Sequence, residues 1–243
     1  MNYKGVLFFL GVYSFLISIF SLINILYSVY FEFYLDLNSY FFLFFISLFF
    51  GLSLCFVGSK NRKNISVYDQ LILIVVSFFF LPALICIPFF LSSHNFGLVD
   101  SYFEAMSGFT STGFSMIENI SFINESLLIW RSSSQWIGGA FFLISIMSTL
   151  GIKKIRIKPL YLIEGSYESG NFYNSFFKNS SKIFFIYSLS TLIIFILYIF
   201  VDIRFYDAFN LALTVVSAGG FLPKEQLSSI INNDFQVFIL SVT

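Results

Sequence analysis

Long apolar runs separated by short polar breaks dominate the chain: residues 6–31, 40–58, 70–91, 127–150 and 183–201, with a further run opening near Phe235. Each of the five is close to the roughly 20 residues that cross a bilayer as helix. The first is too long for the core of a cleaved leader and has no small-residue cleavage site, so it is expected to remain as an anchor. Two stretches break the pattern. D100-SYFEAMSGFTSTG-F114 and D207-AFNLALTVVSAGG-F221 follow the third and fifth runs and are too short and too polar to span. They align without a gap at a spacing of 107 residues, pairing Asp100 with Asp207, Ser107 with Thr214, Thr110 with Ser217 and Gly113 with Gly220. Irregular backbone at membrane depth survives only where protein buries it or water lines it, so a repeated break of this kind points to a pathway through the bundle.

Each break begins with a cap signal. Ser101 and Glu104 have the spacing of a capping box, and Asp207 is a favourable N-cap. Short helices are therefore expected to run inward and end near Phe109 and Val216, with their negative poles aimed at the pathway. The stretches that follow, Thr110-Ser111-Thr112-Gly113 and Ser217-Ala218-Gly219-Gly220, can present carbonyl and hydroxyl oxygens to a dehydrated cation. Glycine closes both, where a dihedral disfavoured by side-chain-bearing residues is expected.

Composition agrees with a membrane setting. The chain is 58% hydrophobic, 22% aromatic and 11% charged, with mean hydropathy +0.87, which leaves too little polar surface to cover a soluble globule of this size. Thirteen basic residues balance thirteen acidic ones, so a basic nucleic-acid binder is excluded. Cys55, Cys86 and His94 have no metal-site spacing. The cysteines read as small apolar residues within their runs and His94 as a solvated loop residue.

The distribution of charge orients the bundle. If the runs alternate direction, Lys4, Lys60, Arg62, Lys63, Lys153, Lys154, Arg156, Lys158, Lys178 and Lys182 share one side, leaving Arg131, Arg204 and Lys224 elsewhere. The positive-inside rule makes that side, and the amino terminus, cytoplasmic. Glu32, Asp36, Asp100, Glu104, Glu118, Glu125, Asp202, Asp207, Glu225 and Asp234 then gather on the outer side, where they would concentrate cations. Only Asp69, Glu164 and Glu168 stay inside.

The run after the first break carries Arg131, Gln135, Trp136, Gly138 and Gly139. An arginine entering an apolar span needs a partner or a route to the interface, and Glu104 is the acid expected to pair with it. The adjacent glycines permit close helix approach.

With these residues in hand, the combination of D100-SYFEAMSGFTSTG, R131-xxx-QW-x-GG, the basic loop and D207-A…GG-F resembles the Trk/Ktr/HKT superfamily of potassium transporters, TrkH type. The likeness runs through nearly the whole chain, including Pro82 before the first break. It implies an all-α polytopic membrane protein of the bacterial cytoplasmic membrane, built from helix–pore loop–helix repeats around a pseudo-fourfold pore and preceded by two extra transmembrane helices. Residues 1–60 would be that N-terminal pair and 61–152 the first repeat. Residues 153–243 would be an incomplete second repeat, with its pore loop at 205–222 and its last helix cut short. Two of four repeats are present, so the sequence is expected to be a piece of the pore subunit.

Carried over, Thr110, Ser111, Thr112 and Gly113 form the first filter strand and Ser217, Ala218, Gly219 and Gly220 the second, with potassium bound at these residues. Glu104, Arg131, Gln135, Gly138 and Gly139 support them. Ser111 departs from the usual threonine, and Gly113 keeps the chain on the potassium side, since serine there accompanies sodium transport in the superfamily. The resemblance also implies a homodimer embedded in membrane lipid, a cytosolic TrkA-type nucleotide-binding regulatory subunit, no cofactor and no enzyme activity. Other readings stay open: a nontransporting scaffold, a half-size subunit completed by a partner, or an intramembrane serine hydrolase using Ser107, Ser111 or one of Ser132, Ser133 and Ser134. The last needs a base in reach, and the single histidine, His94, sits in a loop.

Overall fold

The structure, a computed structural model, describes residues 2–62, 65–150, 172–231 and 233–243. Helices follow one another as α1 (Tyr3–Tyr30), α2 (Leu37–Gly58), α3 (Val67–Phe90), α4 (Leu98–Phe109), α5 (Glu125–Leu150), α6 (Phe172–Phe200), α7 (Phe205–Val216) and α8 (Asp234–Val242), with no strand among the described residues. Lys63, the basic stretch holding Lys153, Lys154, Arg156 and Lys158, and Glu164 and Glu168 lie outside the described residues. The helices begin two to three residues before the apolar runs at α1, α2, α3 and α5, because polar first turns extend them. At α6 the start moves to Phe172, so Lys178 and Lys182 are helical.

Four of these helices are long and apolar enough to cross a membrane: Tyr3–Tyr30, Leu37–Asn61, Tyr68–Phe90 and Phe176–Phe200. The 26-residue α5 reaches about 39 Å at 1.5 Å per residue, also enough to span. Its polar positions are turned inward: Arg131, Ser132, Ser133, Ser134 and Gln135 are all buried. Every element therefore reads as part of an all-α, multi-pass membrane protein.

Small residues set the packing. A Cβ on Gly11 of α1 would stand 2.8 Å from the Cys55 nitrogen and 2.9 Å from the Gly51 oxygen of α2, the close backbone approach that helices in lipid depend on. Ser21 Oγ donates across this seam to the Tyr40 carbonyl at 2.7 Å, while Ser14 and Ser47 return their hydroxyls to the carbonyls of Leu10 and Leu43. Two prolines, Pro82 and Pro88, interrupt the bonding of α3. Near these breaks two α3 carbonyls also accept side-chain donors, Ile85 from Trp130 Nε1 and Phe79 from Tyr102 Oη.

Contacts at the helix ends establish the alternation of the spans. At one end the Asn2 amide donates to Asp69 and the Asn2 side chain to the Asn61 carbonyl, joining the start of α1 to the α2–α3 connection. At the other, Asp36 accepts from the Ser93 amide and from Asn124 Nδ2, joining the α1–α2 turn, the α3–α4 turn and the start of α5. Tyr206 Oη donates to the Glu125 carbonyl and brings the α6–α7 turn to the same end. His94 is half-buried here and its Nε2 accepts from the Asn124 amide, so it is part of this junction and not a freely solvated residue. Cys55 and Cys86 are half-buried free thiols within α2 and α3.

Candidate functional site

The 107-residue spacing persists in three dimensions. Helices α4 and α7 span equivalent positions, 98–109 and 205–216. Both end in the same hydrogen-bonded cap. Thr112 N donates to the Ser107 carbonyl and Ser111 N to the Gly108 carbonyl, and Gly219 N and Ala218 N repeat this toward Thr214 and Val215. This is the double bond pattern that closes a helix through a residue in the left-handed region. Ser111 and Ala218 supply that residue, each at φ 53°, although neither is glycine. Two residues later Gly113 and Gly220 adopt φ 78° and 79°, where glycine is favoured.

Each cap uses the amides and leaves the loop carbonyls over. Among the described residues, no hydrogen bond is made to the carbonyl oxygens of Thr110, Ser111, Thr112 and Gly113, nor to those of Ser217, Ala218 and Gly220. The Gly219 carbonyl differs, since it accepts from Gln135 Nε2 at 2.5 Å. Thr110 Oγ1 is committed to the Met106 carbonyl, and the enclosed Ser111 Oγ has no partner among the described residues. The two loops meet directly: a Cβ on Gly113 would stand 2.5 Å from the Gly219 oxygen, whereas one on Gly220 would meet nothing within 4 Å.

Helix α5 carries the supporting side chains, and their periodicity aims them at both units. Gly138 lies so near the Phe109 carbonyl that no Cβ fits, and a Cβ on Gly139 would be 3.1 Å from the Cβ of Ser217. The neighbouring glycines thus seat the ends of α4 and α7 against the middle of α5, which stops both short helices halfway along a membrane-length span. One turn and two turns earlier, Gln135 and Arg131 face the second loop. Gln135 Oε1 accepts from the Phe221 amide at 3.2 Å. The Arg131 guanidinium stacks 4.0 Å from the Phe221 ring centroid, and its Nη1 reaches the Leu222 carbonyl at 3.5 Å. Ser132 Oγ donates to Asn210 Oδ1 of α7 at 2.7 Å.

Arg131 also pairs with Glu104 as expected, Nε to Oε1 at 2.6 Å, with both side chains buried. Glu104 further accepts from Ser115 Oγ and from the Met116 amide at 3.0 Å. A carboxylate with three donors is well satisfied despite burial. It holds the chain that leaves the first loop, while Ser107 Oγ holds the Phe114 carbonyl.

The cap assignments differ from expectation. The N-cap of α4 is Gly97, and Ser101, one turn inside, is buried with its Oγ unpartnered among the described residues. Glu104 does not reach back because the buried guanidinium competes for it. The N-cap of α7 is Arg204. Asp207 lies within the first turn, still favourable for the helix dipole, and takes Arg204 at 3.1 Å and Lys224 at 3.4 Å. Burial works to lower the pKa of Arg204, but the hydrogen bond and charge of Asp207 outweigh it and raise the value.

The acidic face expected on the outer side is also smaller than the sequence implied. Asp36, Glu104 and Asp207 are buried, the first hydrogen-bonded and the other two ion-paired. Glu32, Glu118, Asp202, Glu225 and Asp234 remain exposed.

Paired short helices that stop at mid-span and present a cap with free carbonyls define a polytopic membrane protein of the re-entrant-loop class. The chain belongs to the TrkH family of cation transport proteins, which matches it over residues 37–223. It is 30% identical over 237 residues to an uncharacterized cation transporter of Methanocaldococcus jannaschii, covering 98% of this chain and 48% of that protein. The Trk system potassium uptake protein TrkH of Escherichia coli K12 is 23% identical over 205 residues, 81% of this chain and 42% of its own length. The crystal structure of the potassium transporter TrkH from Vibrio parahaemolyticus superposes with a TM-score of 0.81 at 19% identity, covering all of this chain and 49% of that one. The chain spans about half the length of these relatives. The family is described as one of cation transport proteins and not as one of enzymes.

Proposed function

We propose that this chain supplies two of the pore-loop units of a transporter that takes up potassium across the bacterial cytoplasmic membrane, with the amino terminus inside. The carrying observation is the duplicated cap: two helices aim their negative poles at loops whose carbonyls, that of Gly219 apart, have no donor among the described residues. A dehydrated cation is stabilised by such oxygens and by the helix dipoles together. In this reading Thr110, Ser111, Thr112 and Gly113, with Ser217, Ala218 and Gly220, face the ion, and Gly219 belongs to the same strand.

The open space beside Gly220, where Gly113 has Gly219, supports a ring in which each loop abuts the next and further units stand beyond the second. Relatives named for potassium uptake support the choice of ion. A homodimer and a cytosolic TrkA-type nucleotide-binding subunit belong to the same proposal, as does the placing of Lys4, Lys60 and Arg62 on the cytoplasmic side.

The full-length protein, expressed in a bacterium stripped of its own potassium uptake, is expected to restore growth on low potassium and to drive rubidium uptake that excess sodium does not suppress. Inserted protein with no flux of either ion would reject the proposal.

A further inference from the structure

Equivalent residues in the two loops are held by unlike devices. The first loop is fastened by its own short helix, through Ser107 to the Phe114 carbonyl and through Glu104 to Ser115 and the Met116 amide. The second has no such local fastening. Thr214, the counterpart of Ser107, is buried with its Oγ1 unpartnered among the described residues, and Leu211 stands where Glu104 would. The grip comes instead from the other repeat: Gln135, fully buried on α5, donates Nε2–H to the Gly219 carbonyl at 2.5 Å and accepts the Phe221 amide on Oε1 at 3.2 Å. One planar carboxamide therefore spans Gly220 from both sides.

The consequence is an asymmetry in the oxygens offered to an ion. Thr112, the counterpart of Gly219, has a carbonyl to which no described residue donates. The Gly219 carbonyl is turned toward α5 and has its donor there. A Cβ at position 219 would displace the Gln135 carboxamide.

We infer that Gln135 is a positioning residue for ion selectivity, holding the Gly219 carbonyl away from the ion path and thereby fixing which carbonyls of the second loop the ion meets. Its donor half carries this role, because a buried carbonyl that loses its donor turns to the nearest cation or water. The inference rests on the filter reading above.

Three variants of the full-length protein test it, with potassium and sodium fluxes measured in vesicles of known inserted protein content. Gln135→Met keeps length and burial and removes both bonds. Gln135→Glu keeps the acceptor for the Phe221 amide and replaces the donor by a carboxylate that repels the Gly219 oxygen. Gly219→Ala drives the carboxamide away without altering Gln135. All three are expected to lower the potassium-over-sodium preference by about tenfold, the factor that one buried hydrogen bond carries, while potassium flux itself persists. Preference unchanged in inserted Gln135→Met or Gln135→Glu protein overturns the inference. Failure of all three to insert assigns Gln135 to folding and overturns it as well. Absence of selective flux in the unaltered protein rejects the filter reading first, so the two failures are separable.

Discussion

Arg131 and Glu104 meet at 2.6 Å with both side chains excluded from solvent, and each makes a second set of contacts that the other does not share. Arg131 covers Phe221 and reaches the Leu222 carbonyl; Glu104 gathers Ser115 and the Met116 amide. The ion pair is thus the joint between the exits of the first and second loops. Removing one partner of such a pair leaves an uncompensated buried charge and costs about 3–5 kcal/mol.

Glu104→Gln and Arg131→Met are accordingly expected to reduce inserted, folded protein sharply. Glu104→Arg combined with Arg131→Glu restores the charges but not the bonds to Met116 and Leu222, so recovery should be incomplete. A double-mutant cycle on thermal stability measures the coupling, and no coupling between the positions would refute the pairing.

Gly113 and Gly220 share a backbone conformation but not a neighbourhood, which separates two contributions. An L-residue at either site carries the left-handed penalty of roughly 1–2 kcal/mol. At Gly113 the new Cβ also collides with the Gly219 oxygen, whereas at Gly220 it enters open space. Gly113→Ser should therefore weaken potassium uptake and admit sodium, with a larger effect than Gly220→Ser in the same half of the pathway. Rubidium uptake in competition with sodium decides it, and equal, wild-type behaviour of Gly113→Ser would remove this loop from the filter.

Gly138 and Gly139 invert the usual helix rule. Alanine favours a helix over glycine by about 1 kcal/mol, yet the Phe109 carbonyl fills the place of a Gly138 side chain. Gly138→Ala should push the end of α4 off α5 and lower the melting temperature of the detergent-solubilised protein, with selectivity suffering as the loop moves. A neutral or stabilised Gly138→Ala protein would contradict the contact.

Topology is checked by cysteine labelling in a background with Cys55 and Cys86 replaced. Both Asn61 and Asn119 are exposed, and they belong to opposite ends of the bundle. In intact cells a membrane-impermeant reagent should spare a cysteine at Asn61 and modify one at Asn119. The reverse pattern would place the amino terminus outside.

The repeat, its register and the ends of both short helices were legible from residue order because they are local properties of the backbone. A left-handed dihedral selects glycine at 113 and 220, and twelve helical residues lie between each polar start and each polar loop. The Arg131–Glu104 pairing was legible too, since an arginine in an apolar span has few acids to choose from. The roles of Ser101, Asp207 and Gln135 were not. Ser101 and Asp207 have side chains suited to local capping, and Glu104 could equally serve a nearby amide or a distant guanidinium. Spacing along the chain cannot rank those partners; burial does, by raising the cost of leaving Arg131 unpaired far above that of leaving a helix end to Gly97. The tertiary structure alone brought Gln135 onto Gly219 and Phe221, 84 and 86 residues away, because no sequence period carries the packing of α5 between α4 and α7. It likewise withdrew Asp36, Glu104 and Asp207 from the outer surface, where charge counting along the sequence had put them.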